Sequence, residues 1–221
     1  MSGVLVLAID TTTETGSLAL ARDGVVIAEE TLESPDGYGH VLFDRIAALL
    51  AGNGVALEEI EVFAAAAGPG TFTGVRVGLT AAKGLASALG KRAAGVSNLR
   101  ALALLGAGDR RAAILDARRG EVYAGLFDAT ANPLEPEAVM PLRQWVEALP
   151  PGETTFVFSG AGSLVDALDV DALGERAPRV IAGRPLAAAI ALLAPGQATD
   201  PALLDANYVR KSDAEMAWRD R

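Results

Sequence analysis

Hydrophobic residues come in short runs from the start of the chain, broken by polar turns. Residues 4–12, VLVLAIDTT, are almost uninterruptedly apolar up to Asp10, which predicts a strand buried on both faces. After the polar stretch from Thr11 to Gly16, SLALAR predicts a second strand and VVIAEETL a third, joined by the hairpin dipeptide Asp23-Gly24. The period then lengthens. A helix is predicted from His40 to Ala51, ended by Gly52-Asn53-Gly54, then a short helical turn at Leu57–Glu61 and an apolar strand, VFAAAA. GPGTFTGVRVG opens another helix that runs to Leu89 and stops at Gly90. AAGVS predicts a strand and NLRALALLG a helix.

This β-β-β-α-β-α-β-α order is that of a ribonuclease-H-like subdomain. Near residue 105 the pattern restarts. RAAILDARRGEVYAGLFD repeats the logic of LVLAIDTTTETGSLALARDG: an apolar strand ending in an Asp, a polar turn with a Gly, then an alternating strand. A chance match of two hairpins is the competing reading; a degenerate duplication is the hallmark of the actin/Hsp70-like (ASKHA) superfamily. The rest predicts a helix near Leu142–Leu149, a strand TTFVFSG, a helix Leu164–Leu168, a strand Arg179–Ile181 and a helix Pro185–Leu193. The expected fold class is therefore α/β: two actin-like subdomains, each a mixed sheet flanked by helices, the second one reduced. The expected domains are 1–104 and 105–221, with the tail able to pack back on the first.

Composition narrows the chemistry. The chain of 221 residues is 51% hydrophobic, with 5% aromatic residues, so its core is built from small aliphatic side chains. It has no cysteine and one histidine, His40, which removes thiol nucleophiles, zinc fingers and iron–sulfur clusters. A serine triad would have to use His40, and no G-x-S-x-G elbow accompanies it. The formal net charge is −9, with 7 basic and 11 acidic residues in 1–104 and 12 and 17 in the rest, so neither half is a basic module able to hold nucleic acid by counterion release. The expected setting is cytoplasmic, since no run approaches the roughly 20 apolar residues of a membrane helix.

The two helices of the first half are unusually apolar. In the longer one, Thr73, Arg76, Thr80, Lys83 and Ser87 fall on a stripe about 80° wide at roughly 100° per residue. Gly78, Leu85 and Leu89 mark the centre of the apolar arc, expected to face the sheet. Val77, Ala81, Gly84 and Ala88 form a flank of small residues that lets another helix come close. On the shorter helix, Leu42, Phe43, Ile46, Ala47, Leu49 and Leu50 make a broad apolar arc. Either both helices are covered within the chain, or one side of them is a protein–protein surface.

Gly68-Pro69-Gly70 predicts a tight turn between strand and helix, with Thr71 or Thr73 as the helix cap. Strand, glycine turn and helix start suit either an anion site or a turn that needs glycine for packing. The segment lacks the Gly-Lys-Ser/Thr ending of a P-loop. GPGTFTGVRVG resembles the G-P-G-S-F-T-G-L-R-I-G signature of the TsaB family, through Gly68, Pro69, Gly70, Thr71, Phe72, Thr73, Gly74 and Arg76. DARRGEVY resembles that family's D-A-R-x-G-E-V-Y, through Asp116, Arg118, Gly120 and Glu121, and LAIDTTT its opening L-A-I-D-T-S-T. The three matches stand in the expected order and span most of the chain. The C-terminal P-x-Y-x-R is met only by Tyr208 and Arg210, because Ala206 replaces the proline.

The resemblance implies a non-catalytic subunit required for threonylcarbamoylation of an adenosine beside the anticodon of tRNA. It implies pairing with a TsaD-type catalytic subunit, a TsaE-type ATPase as further partner, and a homodimer when alone. The implied partner surface is Leu42, Phe43, Ile46, Arg76, Val77, Thr80, Ala81, Lys83, Gly84 and Ala88. The catalytic paralogue carries a His-x-x-x-His metal pair, matched here by His40 and Asp44, so neither a metal nor a catalytic residue is expected. In the superfamily an Asp with small hydroxyl neighbours on each first hairpin embraces phosphates. Asp10, Thr11 and Thr12 keep a reduced form of that loop, whereas the second loop, Asp116-Ala-Arg-Arg-Gly120, is bulky. Gly160-x-Gly162 could be a remnant of the adenosine-side turn. No cofactor is expected, with ATP or ADP bound at most weakly or in a complex. The alternative is an autonomous ATP-dependent transferase or kinase of the same superfold.

Overall fold

The computed structural model describes residues 3–33, 36–159, 179–182 and 185–209. It divides into two compact units, Met1–Ala101 with Pro185–Ala206, and Leu102–Arg184 with Asn207–Arg221.

In the first unit, β1 (Leu5–Asp10), β2 (Thr15–Arg22) and β3 (Val25–Glu33) form an antiparallel meander. Asp23 and Gly24, at φ 52° and 76°, make the turn that their sequence demands. A 3₁₀ turn at Tyr38–His40 leads into α1 (Leu42–Gly52). Then β4 (Val62–Gly68), α2 (Phe72–Leu89) and β5 (Arg92–Ser97) follow, α2 ending on left-handed Gly90, and α3 (Asn98–Leu104) spans the boundary at residue 101. The sheet order is β3-β2-β1-β4-β5, with β4 and β5 parallel to β1.

The second unit has β6 (Arg110–Arg118), β7 (Glu121–Asp128), β8 (Ala138–Pro141), α4 (Leu142–Ala148), β9 (Thr155–Ser159) and β10 (Arg179–Ala182). Its sheet order is β8-β7-β6-β9-β10, antiparallel across the first three strands and parallel beyond. Two sheets with the same order and the same pattern of directions are what a duplication leaves behind. The strand β8 has no counterpart in the sequence reading. It is short and ends in a proline at the sheet edge, where a missing N–H costs nothing. The expected helix at Leu164–Leu168 and the Gly160-x-Gly162 turn lie outside the described residues.

Strand β1 is buried on both faces. Leu5, Leu7 and Ile9 pack with Leu18, Leu20 and Phe63 into a core that α1 and α2 close with Leu42, Ile46, Leu49 and Leu79. The alternate residues Val6 and Ala8 point the other way. The helix α5 (Ala187–Leu193) packs on β1, β2, β3 and β4. Its first N–H groups are taken by β-strand side chains: Ala187 donates to Ser17 Oγ at 3.2 Å and Ala188 to Glu29 Oε1 at 2.9 Å. Downstream, Thr199 exchanges backbone hydrogen bonds with Ala93, closing the outer edge of β5. The sequence reading counts residues 185–206 in the second half with the tail able to pack back on the first, and contacts group them with the first unit. A small first domain needs a cover for the second face of its sheet, and no local period announces which helix supplies it.

Candidate functional site

The signature segment is organised around contact between α2 and the loop that follows β1. Thr11 Oγ1 donates to the Gly74 carbonyl at 2.7 Å, and the Thr71 N–H donates to the Thr12 carbonyl at 2.9 Å. Thr71 caps α2, its hydroxyl accepting from the Gly74 N–H. The glycines explain themselves by what a Cβ would meet. At Gly74 it would lie 2.0 Å from the Thr11 carbonyl oxygen, at Gly70 2.6 Å from Thr12 Cβ, and at Gly78 2.8 Å from Thr11 Oγ1. Glycine therefore recurs every four residues along the face of α2 that seats directly on Thr11 and Thr12. The turn needs these glycines for packing.

Behind the seat is a buried polar chain. Asp10 Oδ1 accepts from the Thr12 N–H at 2.9 Å and the Thr12 hydroxyl at 2.6 Å. Asn98, at the start of α3, donates from Nδ2 to Thr12 Oγ1 at 2.6 Å and accepts the Gly68 N–H at 3.2 Å. Asp10, Thr11, Thr12 and Asn98 are each 3% exposed or less. Asn98 is thus the tie between the first loop and the β4–α2 turn, a role invisible in a sequence where it reads only as a helix start. Tyr38 also escaped the sequence reading: its hydroxyl lies 2.9 Å from the Thr13 carbonyl and 2.6 Å from that of Glu14, clamping the same loop. Its only signal was an aromatic ring beside Gly37. In the second unit Asp116 Oδ1 accepts the Arg118 N–H at 2.6 Å, repeating the Asp10–Thr12 turn. There Arg118, Arg119 and Gly120 all take left-handed φ, at 61°, 57° and 79°.

Burial raises the Asp10 carboxyl above its ordinary value of 3.8, against the lowering effect of the two Thr12 hydrogen bonds. A carboxyl raised in the folded state takes up protons at a pH where the unfolded chain has released them. Stability should then fall as pH rises from the ordinary value through the raised one, and stay lower above it. Asp10→Asn keeps an oxygen for both Thr12 donors and removes the buried charge. We expect it to hold or gain stability at neutral pH and to flatten that dependence, read from urea midpoints across acidic to neutral pH.

Between α1 and α2 runs a groove of 410 Å³. Leu42 and Ala81, at 1% and 6% exposure, are its floor, and Phe43 and Phe72, at 55% and 54%, its walls. Gly39, Thr73, Arg76, Val77 and Thr80 complete the lining. The partner residues expected from sequence divide accordingly. Phe43, Arg76, Thr80, Gly84 and Ala88 are exposed and Val77 is half-buried. Leu42, Ile46 and Ala81 are instead covered by the chain's own core. Lys83 is half-buried, its Nζ donating to the Ala202 and Leu204 carbonyls. The buried face of α2 holds Gly74, Val75, Gly78, Leu79, Ala81, Ala82 and Ala86; Gly78 lies within it as expected, and Leu85 and Leu89, near the end of the helix, pack partly covered against the same core.

His40 and Asp44 are both exposed, and among the described residues no three His, Cys, Asp or Glu side chains cluster to hold a metal ion. No described helix is long and apolar enough to cross a membrane.

Comparison with known proteins places these features. Residues 39–190 match the profile of the family described as TsaD, tRNA N6-adenosine threonylcarbamoyltransferase. The chain is 33% identical to the tRNA threonylcarbamoyladenosine biosynthesis protein TsaB of Bacillus subtilis over 222 residues, 96% of this chain and 97% of that one. It is 37% identical to TsaB of Escherichia coli over 143 residues, 61% and 62% of the two chains. YeaZ from Pseudomonas aeruginosa superposes with a TM-score of 0.77 at 27% identity, over 93% of this chain and 99% of that one. With matching motifs, a shared fold and near full-length identity to TsaB of Bacillus subtilis, the chain belongs to the TsaB family of tRNA threonylcarbamoyladenosine biosynthesis proteins.

Proposed function

We propose that this member of the tRNA threonylcarbamoyladenosine pathway is the non-catalytic subunit, docking through the α1–α2 groove onto a TsaD-type catalytic subunit. The observation that carries this reading is the groove itself, an open apolar channel with two half-exposed phenylalanines. Apolar surface of that kind marks an interaction site on a chain of this size. Homodimerisation through the same face would cover it when the partner is absent, and a TsaE-type ATPase completes the assembly.

The buried loop supports the absence of autonomous chemistry. In this reading Asp10 is a structural ligand of Thr12, and the N-terminus of α2 occupies the approach that a phosphate would need. ATP or ADP then binds this chain weakly at most. A peptidase would need a nucleophile and base, and the one histidine, His40, lies exposed on a 3₁₀ turn.

The test is reconstitution on unmodified tRNA with the catalytic paralogue and TsaE-type ATPase from the same source. This chain alone should neither modify tRNA nor hydrolyse ATP appreciably, and omitting it should abolish modification by the others. Robust turnover by the isolated chain, lost on Asp10→Ala, would establish the autonomous-enzyme alternative instead.

A further inference from the structure

We propose that Asn98 is a positioning residue for docking: from outside the groove it holds one wall, Phe72, in the place a partner needs. This rests on the docking role proposed above. Asn98 is buried at the start of α3 and ties the loop after β1 to the turn after β4. Its Oδ1 accepts the Gly68 N–H at 3.2 Å and its Nδ2 donates to Thr12 Oγ1 at 2.6 Å. Each atom of this chain has one assignment. A backbone N–H can only donate, so the amide turns its oxygen to Gly68 and its nitrogen to Thr12. The Thr12 hydroxyl, accepting from Asn98, gives its own proton to Asp10 Oδ1 at 2.6 Å. Asn98→Asp would bring no proton to Thr12 and would set a second carboxylate against the same hydroxyl.

The chain ends on the helix that carries the groove. The Thr12 carbonyl accepts the Thr71 N–H at 2.9 Å, and Thr71 caps α2. Phe72, the next residue, is the wall that α2 contributes, as Phe43 is that of α1. A buried polar chain with every member satisfied specifies a single arrangement. Removing the Asn98 amide leaves the Gly68 N–H and the Thr12 oxygen without that partner in a buried place, and the loop and the turn are free to separate. The first turn of α2 then samples several positions, and only part of the population presents Phe72 where docking needs it. Observed affinity falls by that fraction.

The test takes the full chain with its phenylalanines replaced by 4-fluorophenylalanine, the Phe72 fluorine line being identified by its absence in Phe72→Leu. Asn98→Ala removes the amide, and Thr12→Val removes the hydroxyl it meets while keeping the carbonyl that Thr71 uses. Ile60→Val is the control for stability, a trimmed core residue at the opposite end of β4 from Gly68. All three should stay folded, melting about 2–10 °C below wild type. In Asn98→Ala and Thr12→Val the Phe72 line should shift or broaden, and affinity for the TsaD-type catalytic subunit should fall about fivefold. Ile60→Val should keep both the line and the affinity. An unmoved Phe72 line in the first two variants, or an equal loss of affinity in Ile60→Val, overturns the role of Asn98 and leaves docking intact. A moved line with wild-type affinity, or a wild type that does not bind the catalytic subunit, overturns the docking reading and this proposal with it.

Discussion

Gly74→Ala is expected to be among the most damaging single methyl additions in this chain, although alanine is the better helix former. A Cβ at that position would lie 2.0 Å from the Thr11 carbonyl oxygen and 2.6 Å from Thr71 Oγ1. The first of these is backbone, held by the β1 strand and by the hydrogen bond from Thr11 Oγ1 to the Gly74 carbonyl. Helix and loop must separate by about an ångström, at a cost of about 3 kcal/mol or more. For a chain of this size that lowers the melting temperature by about 10 °C. Gly84→Ala is the control, because nothing lies within 4 Å of its Cβ and its φ is helical. It should stabilise by about 0.5–1 kcal/mol through the unfolded chain and helix propensity. Thermal melts of the two variants should therefore move in opposite directions. Equal and small shifts would show that α2 does not sit on Thr11.

Residues 1–104 expressed alone should fail to fold. The helix α5 and the segment behind it bury Leu186, Ile190 and Leu204 against the first unit, together with Ala187, Ala189 and Ala191. At about 2 kcal/mol for each large side chain, with smaller contributions from the alanines, the loss approaches the whole stability of a small domain, about 5–15 kcal/mol. It also leaves Val6 and Ala8 facing water and the edge of β5 unpaired at Ala93. Joining residues 185–206 to the fragment through a flexible linker should restore a cooperative melt. The readout is circular dichroism with urea unfolding of both fragments; a cooperatively folded 1–104 would show the segment to be dispensable.

Much of this arrangement is legible in the amino-acid sequence. Alternation and continuous apolar runs locate the strands of both meanders except β8, and Gly90 marks the end of α2. The three motifs identify the family by standing in order along most of the chain, and in one of them, GPGTFTGVRVG, the glycine spacing reports the close approach of α2 to Thr11 and Thr12. What escapes has a common cause: it depends on contacts distant in sequence. Ala81 reads as a solvent-facing flank residue, yet it lies at the border of the buried arc and falls on the core side at 6% exposure. Lys83 reads as part of a wet stripe, yet residues 202 and 204 return to meet it. Asn98 lies 86 residues from Thr12, the hydroxyl it holds. A charge at Ala81 would consequently disturb folding as well as docking, so it cannot separate the two.

Phe43 can. Its side chain is 55% exposed at the wall of the groove, so Phe43→Arg should leave folding stability within about 0.5 kcal/mol of wild type. In a covered groove the same change removes an aromatic anchor and introduces a cation beside Arg76, at a cost of about 3 kcal/mol or more. The decisive measurement is the affinity of folded Phe43→Arg for the TsaD-type catalytic subunit, by titration calorimetry against the wild type. The α1–α2 docking account predicts a loss of about a hundredfold or more with the fold intact. Wild-type affinity in that variant would place the partner on some other surface and contradict the account.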